Sequence, residues 1–131
     1  MLKRIIMGAA LAVLATSGAV MAQDINASAH CNAAVGASDW PGAAVWCRID
    51  AEDSAYSAEQ AETTNSKALR LGAAGYRMLT VAIAYRRMDM QSEAATAKYS
   101  ARRFFQEAWA LNPSQHVIGE LQDGYDQAMA P

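Results

Sequence analysis

Apolar and small residues recur every three to four positions along most of this chain, and nowhere do they alternate with the two-residue period of a half-buried strand. Alanine, glutamate, arginine and glutamine, all good helix formers, fill the long windows between short polar breaks. The pattern predicts five helices, over about 24–36, 41–62, 66–87, 91–111 and 114–129. The clearest stripe is in the fourth, where Ala94, Ala97, Ala101, Phe104, Phe105, Ala108 and Leu111 fall on one face. In the second, Ala44, Cys47, Ala51, Ala55 and Ala58 make a comparable stripe of small residues, which predicts close helix pairs.

The breaks carry turn and capping chemistry. Asp39 precedes Pro41, a proline suited to a first helical turn, and Thr63-Thr64-Asn65-Ser66 offers several caps. Met88-Asp89-Met90 reads as a tight turn. In Asn112-Pro113-Ser114-Gln115, Asn112 is the expected cap and Pro113 the first helical residue. Such short links make consecutive helices antiparallel. The expected fold is therefore all-α: a hairpin over 24–62, a second over 66–111, and a terminal helix over 114–129. Laying the chain on itself at an offset of 50 pairs Asp39 with Asp89 at the two hairpin turns.

The first 22 residues change the picture of where the chain works. Lys3 and Arg4 precede an apolar run from Ile5 to Val20, and Val20-Met21-Ala22 ends in a small-residue cleavage site. The run is short and broken by Gly8 and Gly18, which favours a cleaved secretory signal over a membrane anchor. Residues 23–131 would then form one exported helical domain, periplasmic or secreted from a bacterium, with no stable membrane insertion. Loss of Lys3 and Arg4 lowers Lys plus Arg from 11 to 9 against 13 acids, a net charge of −4.

Export makes the two cysteines a pair. Cys31 lies eight residues before Asp39 and Cys47 eight after it, so a chain reversal there sets both thiols at one height on facing helices. An even cysteine count in an oxidising compartment predicts the Cys31–Cys47 disulfide. Closing a loop of this size stabilises by about 3 kcal/mol. A nucleophilic cysteine beside His30 fits less well, because sequence neighbours on a helix point about 100° apart.

Two segments resemble a known family. Gly36-Ala37-Ser38-Asp39-Trp40-Pro41-Gly42-Ala43-Ala44 is similar to the turn between the paired helices of a tetratricopeptide repeat, and Phe105, Ala108, Trp109, Ala110, Leu111, Asn112 and Pro113 resemble the end of such a repeat. The resemblance covers roughly two repeats and a last helix. It departs from the pattern at Met90, where an aromatic residue is expected, and at Gly72 and Gly75 inside a helix. It implies a module that binds partner proteins, with no catalytic residues.

Charge is partitioned into blocks: residues 23–64 carry seven acids and Arg48, residues 65–112 eight bases and three acids, and residues 113–131 three acids. Two readings follow. The acidic first hairpin, with Glu52, Asp53, Glu59 and Glu62, packs on the basic second one; or Lys98, Arg102 and Trp109, with Arg70 and Arg77 sharing a face of the third helix, form a basic surface. Trp40, Trp46, Tyr76, Lys98, Arg102 and Trp109 are the candidate partner contacts, since aromatic and arginine residues dominate interfaces. An acidic exported chain without a nucleic-acid motif argues against nucleic acid.

The rival class is a metal- or haem-binding bundle with His30, His116, Met88 or Met90 as ligands, but no Cys-x-x-Cys-His and no pair of histidines on one helix face supports it. No catalytic spacing or phosphate-binding glycine loop is present either. The expectation is a non-catalytic exported protein that binds an unidentified protein partner, with no cofactor and no metal.

Overall fold

Five helices joined by tight turns make up the computed structural model, which describes residues 26–131; the expected leader, its cleavage site and Asp24 lie outside the described residues. They are α1 (Ala27–Gly36), α2 (Trp40–Gln60), α3 (Thr64–Arg87), α4 (Gln91–Ala110) and α5 (Gln115–Met129). No strand occurs among the described residues, and the fold is all-α as the periodicity predicts.

Four of the five helices start where a side chain satisfies an orphan amide; α4, opened by Met90, has no side-chain cap. Asn26 accepts from the Ala29 N–H at 3.0 Å, Asp39 from Gly42 at 3.0 Å and Thr63 from Ser66 at 3.1 Å. The Thr63 cap starts α3 at Thr64, two residues ahead of the predicted boundary. The last link differs from expectation. Ser114, not Asn112, caps α5, while Asn112 takes a left-handed φ of 54° and ends α4. Asn112 donates its N–H to the Trp109 carbonyl, and Pro113, having no N–H, can neither continue that helix nor close the turn further.

The α1/α2 and α3/α4 turns are built alike. Ser38 and Asp89 both adopt left-handed φ, at 56° and 60°. The following amides, Asp39 and Met90, donate back to Ala34 and Tyr85 at 2.8 and 2.9 Å, the outer bond of a Schellman motif. Each of those residues is then the N-cap of the next helix. The backbone equivalence is therefore Ser38 with Asp89, an offset of 51, and the sequence alignment at 50 is displaced by one.

Helix α3 is central: it packs on α2, α4 and α5, while α1 packs on α2 and α4 on α5. The core is mostly alanine, and its largest fully buried side chains are Phe105, Val81, Val117 and the two half-cystines. Cys31 and Cys47 are bonded, with Cα atoms 4.7 Å apart, so α1 and α2 meet in the register that the symmetric spacing about Asp39 predicts. Farther along, Phe105 lies between Gly75 of α3 and Gly124 of α5. A Cβ on Gly75 would sit 2.6 Å from the ring and one on Gly124 2.5 Å from it, so both positions need glycine for the helices to close on the aromatic.

Candidate functional site

Every sequence-predicted contact residue is engaged by another part of the same chain. Trp46 stacks on His30 with ring centroids 4.3 Å apart, joining α2 to α1. The Arg87 guanidinium, at the end of α3, lies 5.4 Å from the ring of Trp40 at the start of α2. Tyr76 meets Phe105 edge-on at 5.3 Å, and its hydroxyl accepts from the Gly124 N–H at 3.0 Å. Trp109 stacks on Tyr125 at 4.2 Å across the α4/α5 seam. Lys98 and Arg102 act on the same seam, where Arg102 Nε donates to the Ala128 carbonyl at 2.8 Å and Lys98 Nζ to that of Pro131 at 3.1 Å. The Ala128 carbonyl is one of the orphan acceptors in the last turn of α5, which a cation satisfies and whose dipole it complements, while Pro131 lies just beyond the helix.

The charge blocks meet at one partly buried pair. Arg77 of α3 bonds Asp50 of α2 at 2.6 Å, and its remaining donors reach Asn32 at 3.1 Å and Ser28 at 3.0 Å on α1, so one guanidinium ties three helices. Arg70, on the same face of α3, donates to the backbone and hydroxyl of Ser57 on α2. Beside the pair, the Asp53 carboxyl is pushed above its ordinary value, first by burial and then by the negative charge of Asp50. The other acids of the first hairpin do not pair with the basic block: the remaining ion pairs among the described residues, Arg103–Glu107 and His116–Glu120, are local to α4 and α5.

A further surface lies between α2 and α4, where Arg48 donates to the Tyr85 hydroxyl at 3.3 Å and Arg103 pairs with Glu107. Both helices pack on α3, but no Cα atom of one comes within 8 Å of the other, and an open groove runs between them. It is made of two adjoining pockets of about 250 and 260 Å³ that share Phe104 and Glu107 of α4. One wall is Arg48, Ala51 and Glu52, continuing to Ala55, Ala58 and Glu59, all on α2. The other is Ser100, Arg103, Phe104 and Glu107, continuing to Leu111 on α4. The floor is Met78, Leu71 and Lys67 of α3. Tyr56 and Tyr99, 65% and 59% exposed, lie on the same two helices, four residues from Glu52 and Arg103 respectively.

None of the wall residues was singled out as a contact from the sequence. The signal available was a second stripe on the fourth helix, Ser100, Arg103, Phe104, Glu107 and Leu111, lying beside the alanine stripe with the same spacing. Phe104 and Leu111, assigned to the core stripe by periodicity, are half-buried and line this groove, whereas Phe105 is fully buried.

His30 and His116 sit on α1 and α5, the first stacked on Trp46 and the second bonded to Glu120, and Met88 packs against the core at the α3/α4 turn. Among the described residues no three His, Cys, Asp or Glu side chains converge on a point where an ion could sit, and no helix is long and apolar enough to cross a membrane. Comparison with protein-family models, with curated proteins and with solved structures finds no match to the chain.

Proposed function

We propose that this chain is an exported, non-catalytic helical protein of the bacterial cell envelope, periplasmic or secreted once residues 1–22 are removed, and that it binds a segment of a partner protein in the α2/α4 groove. The observation that carries this reading is the groove itself. It joins apolar residues of the floor and one wall, Met78, Leu71, Phe104 and Leu111, to charged groups of both signs, Lys67 of the floor among them, with exposed tyrosines on the same helices. Apolar centre, polar rim and enriched tyrosine and arginine are the anatomy of protein interfaces. The disulfide supports export, since such bonds persist in oxidising compartments. In this reading Trp40, Trp46, Tyr76, Lys98, Arg102 and Trp109 hold the walls in place. The tetratricopeptide resemblance points to the same class of function.

A photoreactive amino acid at Ser100, in protein expressed with its leader, tests the proposal in intact cells. The expected result is a crosslink to one envelope protein that disappears when Arg103→Glu and Glu107→Arg exchange the charges of the α4 wall. Crosslinks indifferent to that exchange, or none at all, would reject the groove as the binding site.

A further inference from the structure

Helix α1 is attached to the rest of the molecule through one neighbour. Its backbone packs on α2 alone, whereas α3 packs on α2, α4 and α5. The large buried side chains Phe105, Val81, Val117 and Leu121 all belong to α3, α4 and α5. What α1 buries is small: Ala27, Cys31 and Ala34, with Val35 partly covered. A helix of ten residues is too short to persist alone in water, and α1 has neither an acid in its first turn nor a base in its last. Its noncovalent side-chain ties are Ser28 and Asn32, which accept from Arg77, and His30, stacked on Trp46. A few buried methyls and these contacts stand against the entropy of fixing ten residues.

Without α1 the other four helices keep their own contacts. Arg77 still bonds Asp50 at 2.6 Å across the α2/α3 seam, and the Phe105 ring is still enclosed by Gly75, Tyr76 and Gly124. The loss falls on α2, where Cys47 and Trp46 give up their cover. Once formed, the bond is shut away by the seam it closes. Both half-cystines are 0% exposed, so a reductant reaches neither sulfur unless α1 lifts, and the bond pins α1 near its middle. Before it forms the reverse holds, because an undocked α1 leaves Cys47 open to solvent on α2 and Cys31 on a free segment.

We propose that the Cys31–Cys47 pair is a one-way latch on α1: the reduced chain folds α2–α5 and leaves α1 undocked, and oxidation docks α1 and seals the bond against reduction. The proposal rests on the export part of the reading above, since export brings the chain to the oxidant, a second disulfide. One protein thiolate attacks a sulfur of that disulfide, giving a mixed disulfide and releasing one thiol; the other protein thiolate then displaces the second. The net change joins Cys31 to Cys47, reduces the oxidant to two thiols and leaves on them the two protons of the pair.

The test uses the purified protein, oxidised as isolated and again after complete reduction, with hydrogen exchange read amide by amide. Reduction should lower the protection of the α1 amides about a hundredfold and change that of α3, α4 and α5 by less than about tenfold. Treatment with oxidised glutathione should restore it. Under dithiothreitol the native protein should lose its bond at least about a hundredfold more slowly than the same protein in denaturant. The variant Cys31→Ala with Cys47→Ala keeps the seam small and apolar and should match the reduced protein, which separates the effect of the bond from that of two buried thiols. Continued protection of α1 in the reduced protein or the variant, loss of protection in all five helices, or equal rates of reduction with and without denaturant would each overturn the latch. Retention in the cytoplasm of the chain expressed with its leader would remove the export reading and leave the latch of the purified protein standing.

Discussion

The α1/α2 pair and the α3–α5 assembly are both antiparallel helices with alanine at their contacts, yet they are held by different means. On α1 and the start of α2 the buried residues are Ala27, Ala34, Ala43, Ala44 and the two half-cystines, and the large side chain at the seam, Trp46, is only partly buried where it stacks on His30. Alanine lets backbones approach closely but removes little apolar area from water, about a single methyl each, so a ten-residue helix on such a seam has little to hold it. A covalent bond and the Arg77 bridge make up the difference. The second region has no disulfide and instead buries Phe105 between two glycines, with Tyr76 set edge-on against its ring. One large ring shared by α3, α4 and α5 recovers the burial that alanine cannot, provided that neighbouring residues lack a Cβ.

The contrast can be broken most forcefully at the ring. Phe105→Ala should destabilise the protein by about 3–5 kcal/mol in a denaturant titration; a loss near 1 kcal/mol would mean that the ring is not what holds α3–α5 together. Replacing both cysteines, Cys31→Ser with Cys47→Ser, should lose about 3 kcal/mol, and hydrogen exchange should show the amides of α1 opening first while α3–α5 keep their protection. Uniform loss of protection would abolish the distinction between the regions. Gly124→Ala should cost about 1–3 kcal/mol, because the added methyl meets both Phe105 and Tyr76. The same change at Gly36 or Gly119, where a Cβ would have nothing within 4 Å, should be close to neutral or stabilising.

The smallest effect sharpens the electrostatic side of the first region. In the folded protein Asp53 holds its proton to higher pH than in the unfolded chain, so stability falls as pH rises through the interval between the two values and the penalty is complete above it. Asp53→Asn should therefore give a slightly higher melting temperature at neutral pH, and the gain should shrink as the solution is acidified through that interval. Because Asp53 lies on an exposed position of α2, the difference will be modest.

Much of the fold can be read before any coordinates. Helical period, capping residues and the equal spacing of Cys31 and Cys47 about Asp39 act within one or two helices, and each left a local signature. The exceptions have physical reasons. Asn112 was expected to open α5 and instead closes α4, because an asparagine serves either as an N-cap or in a left-handed turn, and only the neighbouring geometry chooses. The offset of 50 matched residue type at Asp39 and Asp89, whereas the backbone aligns by φ, where Ser38 is the counterpart of Asp89.

Local sequence sufficed for the five helices of the described residues and for the joining of α1 and α2 through Cys31 and Cys47, because these follow from short-range periodicity and chain reversal. Tertiary structure alone decided which aromatic and basic side chains were consumed in holding helices together. Trp46 finds His30, Trp109 finds Tyr125, and Arg102 finds the carbonyls of α5, contacts between residues 16 or more positions apart that no local pattern encodes. It also decided that α2 and α4 stand apart over α3, and a groove is a property of that spacing, not of any segment that lines it.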